Sequence, residues 1–496
     1  MHRTVIAAIA LLLACTSAGS AGTPAPPLPG PAGPDVLQHH HSAARDGLYV
    51  VPALTRAAAA AVRADFTASL PGSTFYAQPL YVAGVNGGPS LLVVASEQDV
   101  VFALDAATGT IVWQRQLGTP VPLSRLPCGN IDPLGVTGTP VIDAAARTVY
   151  VAAMTTPDGG TTKRHLVFAL SLGDGSVRRG WPVDVGATAR SGTTTFDAAV
   201  QNQRGALTIL GGTLYVPYGG HYGDCGGYHG WLVGFPVSNP GRPTAWATAA
   251  VGAGAWAPGG VTSDGTSLFL ATGNTFEATT WSGGEAVLRF TPGPALADWF
   301  APSNWKALDA GDVDLGGTAP VPVDVPGAKP STLAVALGKD GKIYLLDRAH
   351  LGNVGGQAAV AQVAGDEIIN AAIAYTTSRG TYVAFKGTGT SCPGGQGGDL
   401  TGIRIGAASP PTIITAWCAS QNGLGSPMVT TTDGHAEAIV WSVGAEGDGR
   451  LHAFDGDTGG EIASVAVGAV RRYQTPIAAG GRLYVAADGA VRAFTW

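Results

Sequence analysis

Residues 218–231 read YGGHYGDCGGYHGW and gather His221, Asp224, Cys225, His229 and three tyrosines between glycines. Side chains of these types support three different chemistries. The imidazoles and the carboxylate could ligate a metal, with only Asp224 as a hard donor. The Cys225 thiolate could act as a nucleophile. The stretch could also be a tight glycine-rich loop held by a disulfide.

Other concentrations of chemistry carry less. Asp309, Asp312 and Asp314 in LDAGDVDLGG form an acidic loop that reads better as a solvated connection than as a calcium site. Asp455, Asp457 and Glu461 lie in a D-G-D-T-G turn without the glutamate spacing of an EF-hand. His39, His40 and His41 fall in a Gly/Pro-rich region and read as part of a flexible linker that could take up a transition metal. There is no G-x-S-x-G elbow, H-E-x-x-H pair or P-loop.

The elements that must position these residues are strands. Charged residues make up only 12% of the chain, and 73 glycines with 34 prolines mark many tight turns, the composition of an all-β fold with short strands. A net charge of −6 with scattered basic residues gives no footprint for nucleic acid. The N-terminus, MHRTVIAAIALLLAC, is a basic start followed by an apolar run too short to span a bilayer, so residues 1–21 are expected to be a signal peptide. Leu12 to Cys15 resembles a lipobox, which would lipidate Cys15 and leave the membrane reached only through that anchor. Cleavage near Ala21 would instead release the protein. Residues 22–48 read as a Gly/Pro/Ala-rich tether. Either route exports the chain to a disulfide-permissive compartment, secreted or on the cell surface.

From residue 49 onward a unit of three or four short strands recurs eight times, its third strands including VVFALDAATG, LVFALSLGDG, KIYLLDRAHLG and RLHAFDGDTGG. Such a period indicates a β-propeller of eight four-stranded antiparallel blades over residues 49–496. The last unit ends after its third strand, and residues 62–70 are expected to supply the fourth and close the ring. Thr55 is the expected N-cap of a short helix before it.

Ala103-Leu-Asp105-Ala-Ala-Thr108-Gly109-Thr-Ile-Val-Trp113 matches the A-x-D-x-x-T-G-x-x-x-W repeat of the quinoprotein propellers at every specified position. Residues 453–459 match it again, with Ala463 in the tryptophan's place. The chain thus resembles the PQQ-repeat family, in which the tryptophan packs between blades. In the dehydrogenase branch the resemblance implies pyrroloquinoline quinone (PQQ) and calcium at the ring centre. Thr272-Gly273-Asn274 resembles its calcium-ligand motif, and the segment from Lys339 to Arg348 resembles the one carrying its quinone-contacting lysine. Asn274 and Lys339 are therefore the candidate cofactor residues, and His221, Asp224 and Asn274 the candidate metal ligands. The rest departs from that branch. His221 stands where a glutamate ligand belongs, Asn304 in P-S-N-W where the catalytic aspartate belongs, and no adjacent cysteine pair exists. Replacing a carboxylate by imidazole removes charge that calcium needs, and an asparagine cannot take a proton as an aspartate does.

In four-stranded blades the loop between second and third strands opens on the same face as the connection to the next blade. Cys225 and Cys128 share that face on adjacent blades, as do Cys392 and Cys418, so the expected bridges are Cys128–Cys225 and Cys392–Cys418. Glu97, His221, Asn274, Lys339, Lys386, Glu446 and Asp488 follow second strands around the same face. There they form either a polar ring for a ligand or a set of turn residues bonded to their own loops. Together these features point to an exported binding or scaffold propeller without catalysis, its partner a protein, glycan or small molecule. The competing readings are a PQQ/calcium dehydrogenase with altered ligands and a funnel-site hydrolase or lyase.

Overall fold

The structure is a computed structural model that describes residues 25, 28, 34–84, 87–276 and 278–496. The signal segment 1–21, with Cys15, and most of the expected tether lie outside the described residues. No described helix is long and apolar enough to cross a membrane.

Eight antiparallel blades form a closed ring. Blade one runs outward through Leu80–Val82, Leu91–Ala95, Val100–Asp105 and Ile111–Gln116. The inner strands of blades two to eight are Val141–Asp143, Thr208–Leu210, Thr262–Ser263, Val321–Asp324, Ile373–Thr377, Met428–Thr431 and Ile477–Ala479. Second strands such as Leu91–Ala95, Leu268–Thr272 and Ile439–Val443 are buried at every residue. Each is covered by a neighbouring blade on both sides, so it reads as a continuous apolar run rather than an alternating one. The outer strand Ile111–Gln116 buries only Trp113.

The ring closes as the sequence suggests: Arg63–Ser69 pairs antiparallel with Ala490–Thr495 as the outer strand of blade eight. Before it, Thr55 caps the helix Arg56–Ala59 by accepting from the Ala58 N–H. Adjacent blades lock through an aromatic ring on one and a left-handed glycine on the next. Trp113 donates to the Leu172 carbonyl and lies against Gly175; Trp417 donates to the Gly456 carbonyl and lies against Gly459. A Cβ on Gly175 would sit 2.6 Å from the Trp113 ring, and its φ of +68° is costly for other residues. At the closure Phe66 takes the tryptophan's place over Gly109.

Residues 35–50 correct the linker reading of the histidines. They enter the central channel and leave it by the same end. Val36 pairs antiparallel with Tyr81 of blade one, whereas Leu48–Val50 runs parallel to Val429–Thr431 of blade seven. Between them His39, His40, His41 and Arg45 are buried. Inner strands of other blades bond to the segment on the way, Ile142 N–H to the Leu37 carbonyl and Ser263 N–H to the Ala43 carbonyl. Composition cannot reveal this, because the strand edges that hold the segment belong to blades far apart in the sequence.

Candidate functional site

On the face where second strands end, the loops enclose a chamber of about 380 Å³. Three groups of residues line it.

The first group joins blades four and five. Lys339 follows the second strand Thr332–Leu337, and its ammonium lies 2.7 Å from Asp314, 3.1 Å from Asp312 and 5.6 Å from the centre of the Trp256 ring. Asp314 also accepts from the backbone N–H of Asn274 at 2.7 Å. The glycine of the T-G-N motif permits this approach, since a Cβ on Gly273 would run into the Asp314 carboxylate. Asn274 therefore serves the site through its backbone. Behind them Glu285 is fully buried; one oxygen accepts from Leu315 N–H at 2.7 Å and the other has no partner. Burial, and then the charge of Asp314, push Glu285 up to about 9, so it is protonated at neutral pH. Burial works against the charge of Lys339, yet Asp314 and Asp312 hold its pKa above the ordinary lysine value.

The second group is the loop of residues 218–231. Cys225 is bridged to Cys128 with a Cα separation of 6.0 Å, and Cys392 to Cys418 at 5.6 Å, so neither loop carries a free thiolate. The Tyr228 hydroxyl donates to Asp224 at 2.6 Å. His221 meets the Ala199 carbonyl, and burial lowers its pKa to about 4, leaving it neutral. His229 is turned away, bonded through Nδ1 to the Thr248 carbonyl.

The third group forms the floor. Arg204 lies over the Tyr473 ring, 5.6 Å from its centre, and Arg472 pairs with Glu446 at 2.7 Å.

His221 and Asp224 line the chamber and Asn274 does not, and no group of three or more His, Cys, Asp or Glu that could hold a metal occurs among the described residues. Asp314 is neutralised by Lys339, Asp309 is bonded by Thr275, and Asp224 is bonded by Tyr228. Calcium needs several free oxygens, and these are already engaged. The residues present therefore do not fit a calcium ion. Trp256 and Lys339 do offer a flat face and a cation to an organic group.

Most of the expected polar ring is turn and junction chemistry. Lys386 pairs with Asp366, Glu446 with Arg472 and Asp488 with Arg471, while Glu97 is buried beneath the surface. Only His221 and Lys339 of that ring line the chamber. Asn304 begins the helix Trp305–Ala310 outside the lining. The acidic loop, by contrast, is not simply solvated: Asp314 is buried in the site wall. Its spacing was visible in the sequence, whereas Trp256, Glu285, Arg204 and Tyr473 gave no signal there.

No family model and no curated protein matches the chain. Solved structures do. The quinohemoprotein alcohol dehydrogenase from Comamonas testosteroni superposes with a TM-score of 0.62 at 15% identity, covering 93% of this chain and 80% of that one. A quinohemoprotein alcohol dehydrogenase from Pseudomonas putida HK5 gives 0.65 at 14% identity, with the same coverages. A europium-containing methanol dehydrogenase gives 0.64 at 14%, covering 91% and 89%. The chain has the eight-bladed fold of the quinoprotein dehydrogenases. At this identity the likeness extends to the fold alone.

Proposed function

We propose that the protein is an exported quinoprotein-like propeller that binds a small organic molecule in its funnel and does not oxidise it. Among a protein, a glycan and a small molecule, the last suits an enclosed chamber of about 380 Å³, which is within the usual range for such ligands. The observation carrying the reading is the Asp314–Lys339–Trp256 wall. It keeps a flat, charged surface for an organic ligand while its carboxylate is committed to lysine and to a backbone N–H. The two disulfides support an oxidising compartment.

The second reading, a PQQ-dependent dehydrogenase, is favoured by the fold neighbours and by Lys339 in the funnel wall. Titration with PQQ, with and without calcium, separates the two readings. Melting temperature and tryptophan fluorescence report binding, and dye reduction with alcohols reports turnover. A ligand at a hundred times its Kd adds about 2.7 kcal/mol of stability. We expect any binding to be indifferent to calcium and without dye reduction. Calcium-dependent binding with alcohol oxidation would establish the dehydrogenase instead.

A further inference from the structure

Two of the three cations lining the chamber have a bonded counter-ion: Lys339 has Asp312 and Asp314, and Arg472 has Glu446. Arg204 is half-buried and makes no hydrogen bond or ion pair with any described residue; its guanidinium covers the Tyr473 ring and lies within electrostatic reach of Glu97, whose carboxyl burial raises to about 7. It lines both the chamber and a smaller cavity beneath it, so it forms the partition between them. That lower cavity is also lined by His39, Thr137 and Thr139, all buried; Thr137 lies against the Glu97 carboxyl, Thr139 accepts from the Gln78 N–H, and His39 Nδ1 has no partner among the described residues. A half-buried guanidinium with no bonded acceptor, above a buried imidazole nitrogen without a partner, leaves room for an acceptor supplied from outside.

We propose that Arg204 is the anchor for a carboxylate, and that the funnel ligand is a monoanionic organic acid whose body lies toward Trp256 and Tyr228. This rests on the small-molecule reading above and adds the ligand's class. The guanidinium fork matches a carboxylate through two parallel N–H donors. A phosphate would match the fork as well, but the charge count disfavours it. One cation without a bonded counter-ion balances at most one negative charge, and a second would face Asp224, Asp312 and Asp314 across the chamber, with the Glu97 carboxyl close to Arg204. Glu367 is exposed and forms no ion pair among the described residues, so it does not supply the missing acceptor.

The test compares benzoate, benzamide and phenyl phosphate as probes of the purified full chain, read by tryptophan fluorescence and melting temperature. Benzoate should give a saturable change and benzamide none. Arg204→Gln should weaken benzoate about ten- to a hundredfold, the usual worth of a hydrogen bond to a charged group. Arg204→Lys should fall between. Soaking 4-bromobenzoate into crystals of the unaltered protein, and locating bromine by anomalous scattering, tests the anchor without any variant. Equal binding of benzoate to Arg204→Gln, tighter binding of phenyl phosphate, or bromine elsewhere would overturn the proposal. If benzamide binds and ignores Arg204, the anchor fails while the small-molecule funnel stands. If none of the three binds, both fail.

Discussion

Two arginines flank the buried tip of the N-terminal segment, and they are treated in opposite ways. Arg45, at the tip of the N-terminal segment, is 1% exposed and gives its hydrogens to six oxygens: Gln38 Oε1, Thr208 Oγ1 and the carbonyls of His39, Ser42, Leu207 and Gly259. No carboxylate among the described residues pairs with it. Burial pulls its pKa down to about 9, and the fan of carbonyls keeps it charged at neutral pH. Arg204, in the funnel floor, has none of these partners. The Arg45 site is a finished piece of architecture, closed by the chain itself. The Arg204 site leaves an acceptor missing, as a binding site does and a packed core does not.

The largest effect should come from the Arg45 site. Arg45→Met leaves six acceptors facing a methionine, and loss of a buried, hydrogen-bonded cation costs about 3–5 kcal/mol. Urea unfolding should show a clearly lower midpoint, together with protease cleavage near residues 35–50. An unchanged midpoint would mean the segment is not integral to the ring.

Next comes pH. Burial raises Glu97 to about 7, and burial with the Asp314 charge raises Glu285 to about 9. A carboxyl whose folded pKa lies above its unfolded value stabilises fully below the unfolded value and loses that contribution as pH rises through the folded one. Stability should therefore fall from about pH 4.5 to 7 through Glu97, and on to about 9 through Glu285. Each pKa unit corresponds to about 1.4 kcal/mol, so Glu97→Gln should remove a slope worth about 3 kcal/mol between pH 4.5 and 7. A parallel stability curve for that variant would show that Glu97 is not the group responsible.

Much of this was visible in the residues themselves. The third-strand repeats, the turn at Asp105–Gly109 and the Trp113 position specify a propeller, because each blade needs the same local turn and the same contact with its neighbour. The cysteine pairs followed from the alternation of loop faces. The site was less visible, for a physical reason. The blade repeat is local, whereas the funnel is assembled from connections whose partners are set by the ring. Asp314 reads as one of three solvated aspartates until Lys339 and the Asn274 N–H are brought against it. The histidine triplet reads as linker until blades one, two, four and seven close around it. Arg204, alone in QNQRGAL, has no motif at all, and its meaning lies in a partner that is missing.

A smaller effect should come from the wall of the funnel. Lys339→Met leaves Asp314 buried without its cation. Because Lys339 is itself partly exposed to the chamber, the loss should be about 1–2 kcal/mol rather than that of a fully buried pair. In a double-mutant cycle with Asp314→Asn the two losses should not add, since each single change breaks the same pair. Additive losses would mean that the two side chains are held independently.

The smallest effect is the most discriminating. If Arg204 served the fold as Arg45 does, replacing it would destabilise the ring. Because it bonds to no oxygen of the described residues, Arg204→Met should shift stability by no more than about 0.5 kcal/mol, the range of a substitution that breaks no hydrogen bond. The new side chain would still cover Tyr473, and the partition between the two cavities would lose a charge without a bonded counter-ion. Groups placed for a ligand rather than for the fold are often neutral or costly to stability, so a slight gain is also consistent with the anchor role. Urea midpoints measured beside those of Arg45→Met would decide the comparison. A loss approaching that of Arg45 would make Arg204 a structural residue, as fully used by the fold as Arg45.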